Sequence, residues 1–192
     1  DSPNGDASDS QLLDAVWQST ANVLEHYPPE VEVAAHAVAL LRWFDLEILT
    51  AVRSAGRPSY LERRTDPPEL ASEEVFRQLQ LLPFVEDHPV RGRTLHDLTR
   101  QALSARAWRH DPGFVRAVSA ALITHFDARL QADEGLALDE LVEFAYHALI
   151  ADTDAGIDLL DQVWNSLDGV QASRVLDGLV RVVEEVGTDR LD

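Results

Sequence analysis

The sequence contains no cysteine, no lysine and no methionine. Without cysteine, disulfides and thiolate metal sites are excluded. Without lysine, the phosphate loop G-x-x-x-x-G-K-[ST] cannot be written, so the chain has no Walker A motif. Every one of the sixteen basic residues is Arg. No apolar run approaches the roughly 20 residues of a membrane span, and no signal peptide is visible. We therefore expect a cytoplasmic chain with no membrane contact. No G-x-S-x-G nucleophile elbow is present. No two of the seven histidines stand at the i, i+4 spacing of a zinc site with a Glu nearby, so no metal is expected. Together these absences predict a protein that is not an enzyme. The chain opens on Asp1 and lacks methionine, which predicts a processed or partial product.

What is present is a 192-residue chain that is 45% hydrophobic, with four Trp. That is enough for one ordinary domain or two small ones with a real core. Net charge is −18, so nucleic acid is not expected as a partner. The charge is uneven. Residues 1–49 hold one Arg against nine acids, residues 50–116 eleven Arg against nine, and residues 117–192 four Arg against sixteen. The acidic ends read as solvated helix faces. The four Trp read as core or groove fillers.

Along the chain, "DSPNGDASDS" predicts a disordered acidic tail over 1–10, with Asp9 or Ser10 capping a helix after it. A helical and winged-helix-like domain is expected over 11–110. Within it, "VEVAAHAVALLRWF" is apolar nearly all round and reads as a central helix. "DLEILTAVRSAG" reads as a short helix capped by Asp45 and ended at Gly56. Residues 57–70 hold three Pro and read as a loop, after which Ser72 caps the next helix. Phe84–Glu86 and Arg93–Leu95 flank a Pro- and Gly-containing turn and predict one short β-hairpin. A helical bundle or short helical-repeat stack is expected over 111–192, opened by Asp111-Pro112. Asp152 is expected to cap a later helix. Val175, Leu176, Leu179, Val180, Val183 and Val186 would line one face of the last. The fold class is thus mainly α: a winged-helix-like unit with one hairpin, followed by an antiparallel helical bundle.

The stretches "LLRWFDLEILTAV", "EEVFRQLQLLPFVED", "RTLHDLTRQALSAR" and "DPGFVRAVSAALITHFDARL" resemble part of the bacterial STAND signalling ATPases, the NB-ARC-like and NACHT-like switch proteins. The later "EFAYHALIADTDAGIDLLDQV" resembles the helical segment downstream of their wing. The similarity spans about residues 35–165. In that family a nucleotide-binding domain is followed by a winged helix ending in a Met-His-Asp motif, and then by helical sensor regions. Here the motif is Leu95-His96-Asp97. The resemblance implies that His96 contacts the β-phosphate of ADP, with Asp97 capping the helix or orienting its neighbours. The nucleotide, ADP or ATP, would sit on a missing nucleotide-binding domain of the same or another chain, leaving no cofactor in this one. Protein partners and an autoinhibitory or sensing role follow. The plainer alternative is that Asp97 is only an N-cap and His96 only ends a strand. Two other functions compete, a DNA-binding winged-helix regulator and a helical interaction scaffold.

Overall fold

The computed structural model describes residues 4–61, 70–132 and 135–152, together with 154, 156–158, 161, 165, 173–178, 180 and 181. It is mainly helical, with a single two-stranded antiparallel hairpin among the described residues. The elements are α1 (Asn4–Leu24), α2 (Pro29–Val38), α3 (Leu46–Val52), α4 (Ser72–Leu79), β1 (Val85–Asp87), β2 (Arg93–Leu95), α5 (Asp97–His110), α6 (Pro112–Gln131) and α7 (Leu138–Ala151). They belong to two compact units, Asp1–Phe114 and Val115–Asp192. No described helix is long and apolar enough to cross a membrane.

In the first unit, α2 is the centre. Its apolar circumference buries Val31, Ala34, Ala35, Ala37 and Val38, and it packs against α3, α4 and α5. Alanines at three of these positions let neighbouring helices come close, while Pro29 at the first helical position costs no hydrogen bond. The helix is shorter than its apolar run predicts, because the chain turns at 39–41 and becomes extended at Phe44. Phe44 N–H donates to Arg93 O at 2.8 Å, and Arg93 N–H donates back to Phe44 O at 2.7 Å. This one-residue bridge ties the α2–α3 connection to the outer edge of β2. The Phe44 ring is buried and meets Phe76 of α4 edge-on, with centroids 6.1 Å apart.

Asp45 caps α3 as expected, accepting from Ile48 N–H at 2.9 Å. A single 3-10 turn over Arg53–Ala55 follows, and Gly56 ends it with φ of 85°. Ser72 is not the cap of α4. Ala71 holds that position, and the Ser72 hydroxyl instead accepts from Arg53 Nη1 at 2.9 Å while Arg53 Nη2 donates to Leu70 O at 2.7 Å. A guanidinium that needs acceptors competes for the serine oxygen more strongly than a backbone amide does. Of the expected loop, 62–69 lie outside the described residues.

The hairpin pairs Val85 with Leu95, Glu86 with Thr94 and Asp87 with Arg93. It is one residue later on its first strand than the sequence predicts. Phe84 is drawn into the core at the end of the preceding turn, although its carbonyl still accepts from His96 N–H at 2.9 Å. Gly92 closes the turn with φ of +63°, and a Cβ there would stand 2.4 Å from Phe44 O. Both the left-handed backbone and the close approach require glycine. Gly92→Ala is therefore expected to lower stability by roughly 2 kcal/mol and to expose the Phe44 and Arg93 amides to exchange. Unchanged protection of both amides would contradict this role.

The first helix begins at Asn4, not after a tail over 1–10. Asp9 and Ser10 lie inside it, so neither caps it. Acidic residues are favoured near a helix N-terminus, so the composition that reads as a tail suits the first turns of a helix equally well. The C-terminal part of α1 buries Thr20 and Leu24, and α1 packs on α5.

In the second unit, α6 and α7 face each other through Phe126 and Phe144, edge-on at 6.0 Å. Asp111 caps α6 through Phe114 N–H at 2.9 Å. Asp152 ends α7, where its own N–H donates to Ala148 O, and its carbonyl accepts from Gly156 N–H at 2.8 Å, so it also stands at the start of the helical run that follows. Of the last expected apolar face, Val175 is buried whereas Leu176 and Val180 are about half exposed. Leu179, Val183 and Val186 of that face, and Trp164, lie outside the described residues.

Candidate functional site

The candidate site is the junction of β2 with α5. Leu95 is buried and fixes the end of the strand. Thr99, Ala102, Leu103 and Ala107 bury one face of α5, and that spacing fixes how the helix leaves the hairpin. His96 sits between the two, at the N-cap position with extended backbone (φ −51°, ψ 137°). Its carbonyl accepts the first helical bond, from Arg100 N–H at 2.9 Å.

The His96 ring makes no capping bond. Its side chain is 49% exposed, and Nε2 lies 3.4 Å from Glu86 Oε2 on β1. Asp97 is not the cap expected of it. It is the first helical residue, largely exposed, with Oδ1 3.8 Å from Arg100 Nη2. The structure thus brings His96, Asp97, Glu86 and Arg100 to one end of a 14-residue helix. The helix contributes free N–H groups and a partial positive charge at that end. Glu86 is not singled out by the sequence: the expected hairpin sets it beside Arg93, and the actual register, which pairs it with Thr94, brings it towards His96. Because the His96 ring does not hold the fold, His96→Ala in this chain should change stability by no more than about 0.5 kcal/mol. A large drop in the melting midpoint would mean that the residue is structural.

Two buried polar clusters were not found from sequence. In the first unit, His36 Nδ1 lies 2.9 Å from the Tyr60 hydroxyl. The Trp17 and Tyr60 ring centroids each stand 5.4 Å from that of His36. The Arg106 guanidinium lies 4.2 Å from the centre of the Trp17 ring and 5.7 Å from that of Tyr60. Burial, aided by the Arg106 charge, pushes the His36 pKa down to about 3. Burial also raises that of Tyr60, with Arg106 opposing and Asp111 and Glu32 adding to the rise. The signal in sequence was faint: a lone His on an otherwise apolar helix face, which usually means a satisfied core residue.

In the second unit, Ser119 Oγ lies 2.9 Å from His147 Nδ1, and His147 Nε2 lies 3.3 Å from Glu143 Oε2 without hydrogen-bond alignment. A serine, a histidine and an acid in this order resemble a nucleophile relay. All three are buried, however, and a nucleophile must meet its substrate. We read the set as internal wiring between α6 and α7. Among the described residues, no group of three or more His, Asp or Glu could hold a metal ion.

No family model matches the chain, and no curated protein or solved structure matches it.

Proposed function

We propose that this chain is the regulatory winged-helix and helical portion of a bacterial STAND-type signalling ATPase. In this reading it acts in the cytoplasm, docked on a nucleotide-binding domain that it does not itself contain. The observation that carries the reading is His96, whose half-exposed ring stands unused as a cap at the N-terminus of α5, directly after the hairpin. A protonatable donor beside a helix N-terminus suits a phosphate supplied by another domain. The element order gives further support. Helix α2, the single-residue bridge at Phe44, helices α3 and α4 and then the hairpin follow the order of a winged helix. Leu81, Val90 and Leu98 are exposed apolar side chains on the segment carrying the hairpin and the start of α5, as a docking surface would require.

The rival DNA-binding reading is weakened at α4, where a recognition helix would sit. Its first turn carries Glu73 and Glu74. Arg77, its basic residue, is held by Glu74 through Nε at 2.9 Å and Nη2 at 2.6 Å. The bonds from Arg77 and Gln78 pull the Glu74 carboxyl down to about 2, so the pair stays ionised. A helix with this face repels phosphates.

The test is ADP retention by the complete switch protein. Removing a contact made only in the ADP-bound closed state, at a loss of ~1.4 kcal/mol, shifts the closed-to-open ratio about tenfold. His96→Ala should therefore release ADP faster and raise signalling. The isolated chain should show no micromolar ADP binding, since one His and a helix end do not wrap a phosphate. Unchanged ADP retention in the variant would overturn the proposal.

A further inference from the structure

Where the hairpin meets α5, an acid and a histidine face each other in the open. The His96 side chain is 49% exposed and that of Glu86 57%, with Nε2 and Oε2 3.4 Å apart. It is the one ion pair that either makes among the described residues.

The hairpin imposes this contact. Main-chain bonds from His96 N–H to Phe84 O and from His88 N–H to Gly92 O fix the ladder. Within it Glu86 stands opposite Thr94. Alternate residues of a strand share a face, so Glu86 is one diagonal step from His96, a separation that long side chains span. Asp87, the next residue, points to the other face and pairs with Arg93. Asp97 lies towards Arg100, with Oδ1 3.8 Å from Nη2. Among Glu86, Asp87 and Asp97, then, Glu86 is the acid set against His96 Nε2.

A carboxylate and a phosphate ask the same thing of an imidazole, a donated N–H to an anionic oxygen. Nε2 has one proton to give. A phosphate that takes it must turn Glu86 aside and meets the repulsion of its charge. The contact is built to yield. At 3.4 Å it is longer than the roughly 2.7–2.9 Å of a full charge-assisted bond. Both partners are hydrated, and exposed pairs of this kind are weak.

We propose that Glu86 regulates the His96 junction by competing with phosphate for Nε2. With no phosphate presented, the carboxylate keeps the imidazole occupied and other anions away. When a phosphate is held in place by a neighbouring domain, Glu86 swings out and His96 changes partner. This inference rests on the nucleotide reading of His96 and adds to it the residue that sets how readily the contact is made.

The experiment is NMR of the whole 192-residue chain during titration with inorganic pyrophosphate at constant pH and ionic strength, following the His96 ring and the Asp97 and Leu98 amides. Glu86→Gln keeps the size of the side chain and removes its charge. It should bind pyrophosphate roughly three- to tenfold more tightly than the parent, the factor carried by one exposed pair and one like charge. Adding His96→Ala should abolish the gain at both amides. Asp87→Asn removes a charge from the opposite face of the same strand and should gain much less. If Glu86→Gln does not fold, Glu86→Thr, which suits a strand, takes its place. In the complete switch protein Glu86→Gln should slow ADP release, the reverse of His96→Ala. Unchanged ADP retention in His96→Ala overturns the nucleotide reading itself. If that variant does release ADP faster, the reading stands. The role of Glu86 is then overturned alone by any of three results: Glu86→Gln binds pyrophosphate no more tightly than the parent, Asp87→Asn matches it, or ADP release from Glu86→Gln is unchanged.

Discussion

Lowering the pH from 7 towards 3 is expected to remove up to about 4 kcal/mol of the stability of the first unit through one residue, His36. In the unfolded chain His36 should titrate near the ordinary value of 6.5, whereas in the folded unit burial and the Arg106 charge hold it near 3. Above 6.5 the ring is neutral in both states, and its burial contributes in full. Between 6.5 and 3 the unfolded chain binds a proton that the folded unit refuses, so stability falls as the pH falls, by at most ~1.4 kcal/mol per unit. Near 3 the folded ring is itself protonated, and the contribution is gone. His36→Leu removes this titration. It should cost stability at pH 7 by orphaning the Tyr60 hydroxyl, yet show a shallower loss between pH 6 and 4. Denaturant unfolding of both proteins at several pH values measures the difference in slope. Parallel curves would show that His36 titrates alike in both states. Asp111 adds to the acid loss at lower pH. Partial burial works to raise its pKa, but the bonds from Ser59 and Phe114 outweigh this and lower it. Its stabilisation is therefore present above the ordinary Asp range and fades as the pH falls through its depressed value.

What the sequence discloses depends on the range of the interaction. Helix α7 is legible to the residue, because "LDELVEFAYHALIA" has an unbroken helical pattern between a Gly-containing turn and Asp152. The Asp45 cap and the Gly56 stop are local signals and stand where the sequence puts them. Ser72 does not, because Arg53, nineteen residues away, takes its hydroxyl. The apolar run into Phe44 reads as helix, but its end is decided by the bridge to Arg93. The His36 cluster lies beyond sequence reasoning for the same reason. Trp17, His36, Tyr60 and Arg106 stand on α1, α2, a loop and α5, and no spacing relates them. The position of His96 was legible because it depends only on the turn from hairpin to helix. Its 3.4 Å approach to Glu86 was not, because that depends on the register of the hairpin.

The second unit should be most sensitive at Glu140. This side chain is buried, and both of its oxygens accept hydrogen bonds. Oε1 receives Arg129 Nη1 of α6 at 2.6 Å, and Oε2 receives Ala137 N–H at 2.7 Å. Ala137 stands at the N-cap of α7 but has no side-chain acceptor, so the reach of Glu140 back to its amide is the only half of a capping box that can form. One carboxylate thus starts α7 and ties it to α6. Glu140→Ala removes the cap, leaves the Arg129 charge without this acceptor and opens a small cavity. Breaking a buried pair is much more costly than never having had one, so a loss of roughly 3 kcal/mol is expected. Glu140→Gln keeps an oxygen for Ala137 N–H but loses the charge, and should cost about half as much. Arg129 is less buried than its partner and recovers some hydration when left alone, so the penalty falls mainly on the Glu140 side. Hydrogen exchange separates the two contributions. Glu140→Ala should speed exchange at the Ala137 and Leu141 amides and along the first turn of α7, whereas Glu140→Gln should leave Ala137 protected. A Glu140→Ala protein within ~0.5 kcal/mol of the parent, with its first turn still protected, would mean that α6 and α7 are held by Phe126, Phe144 and their apolar neighbours alone.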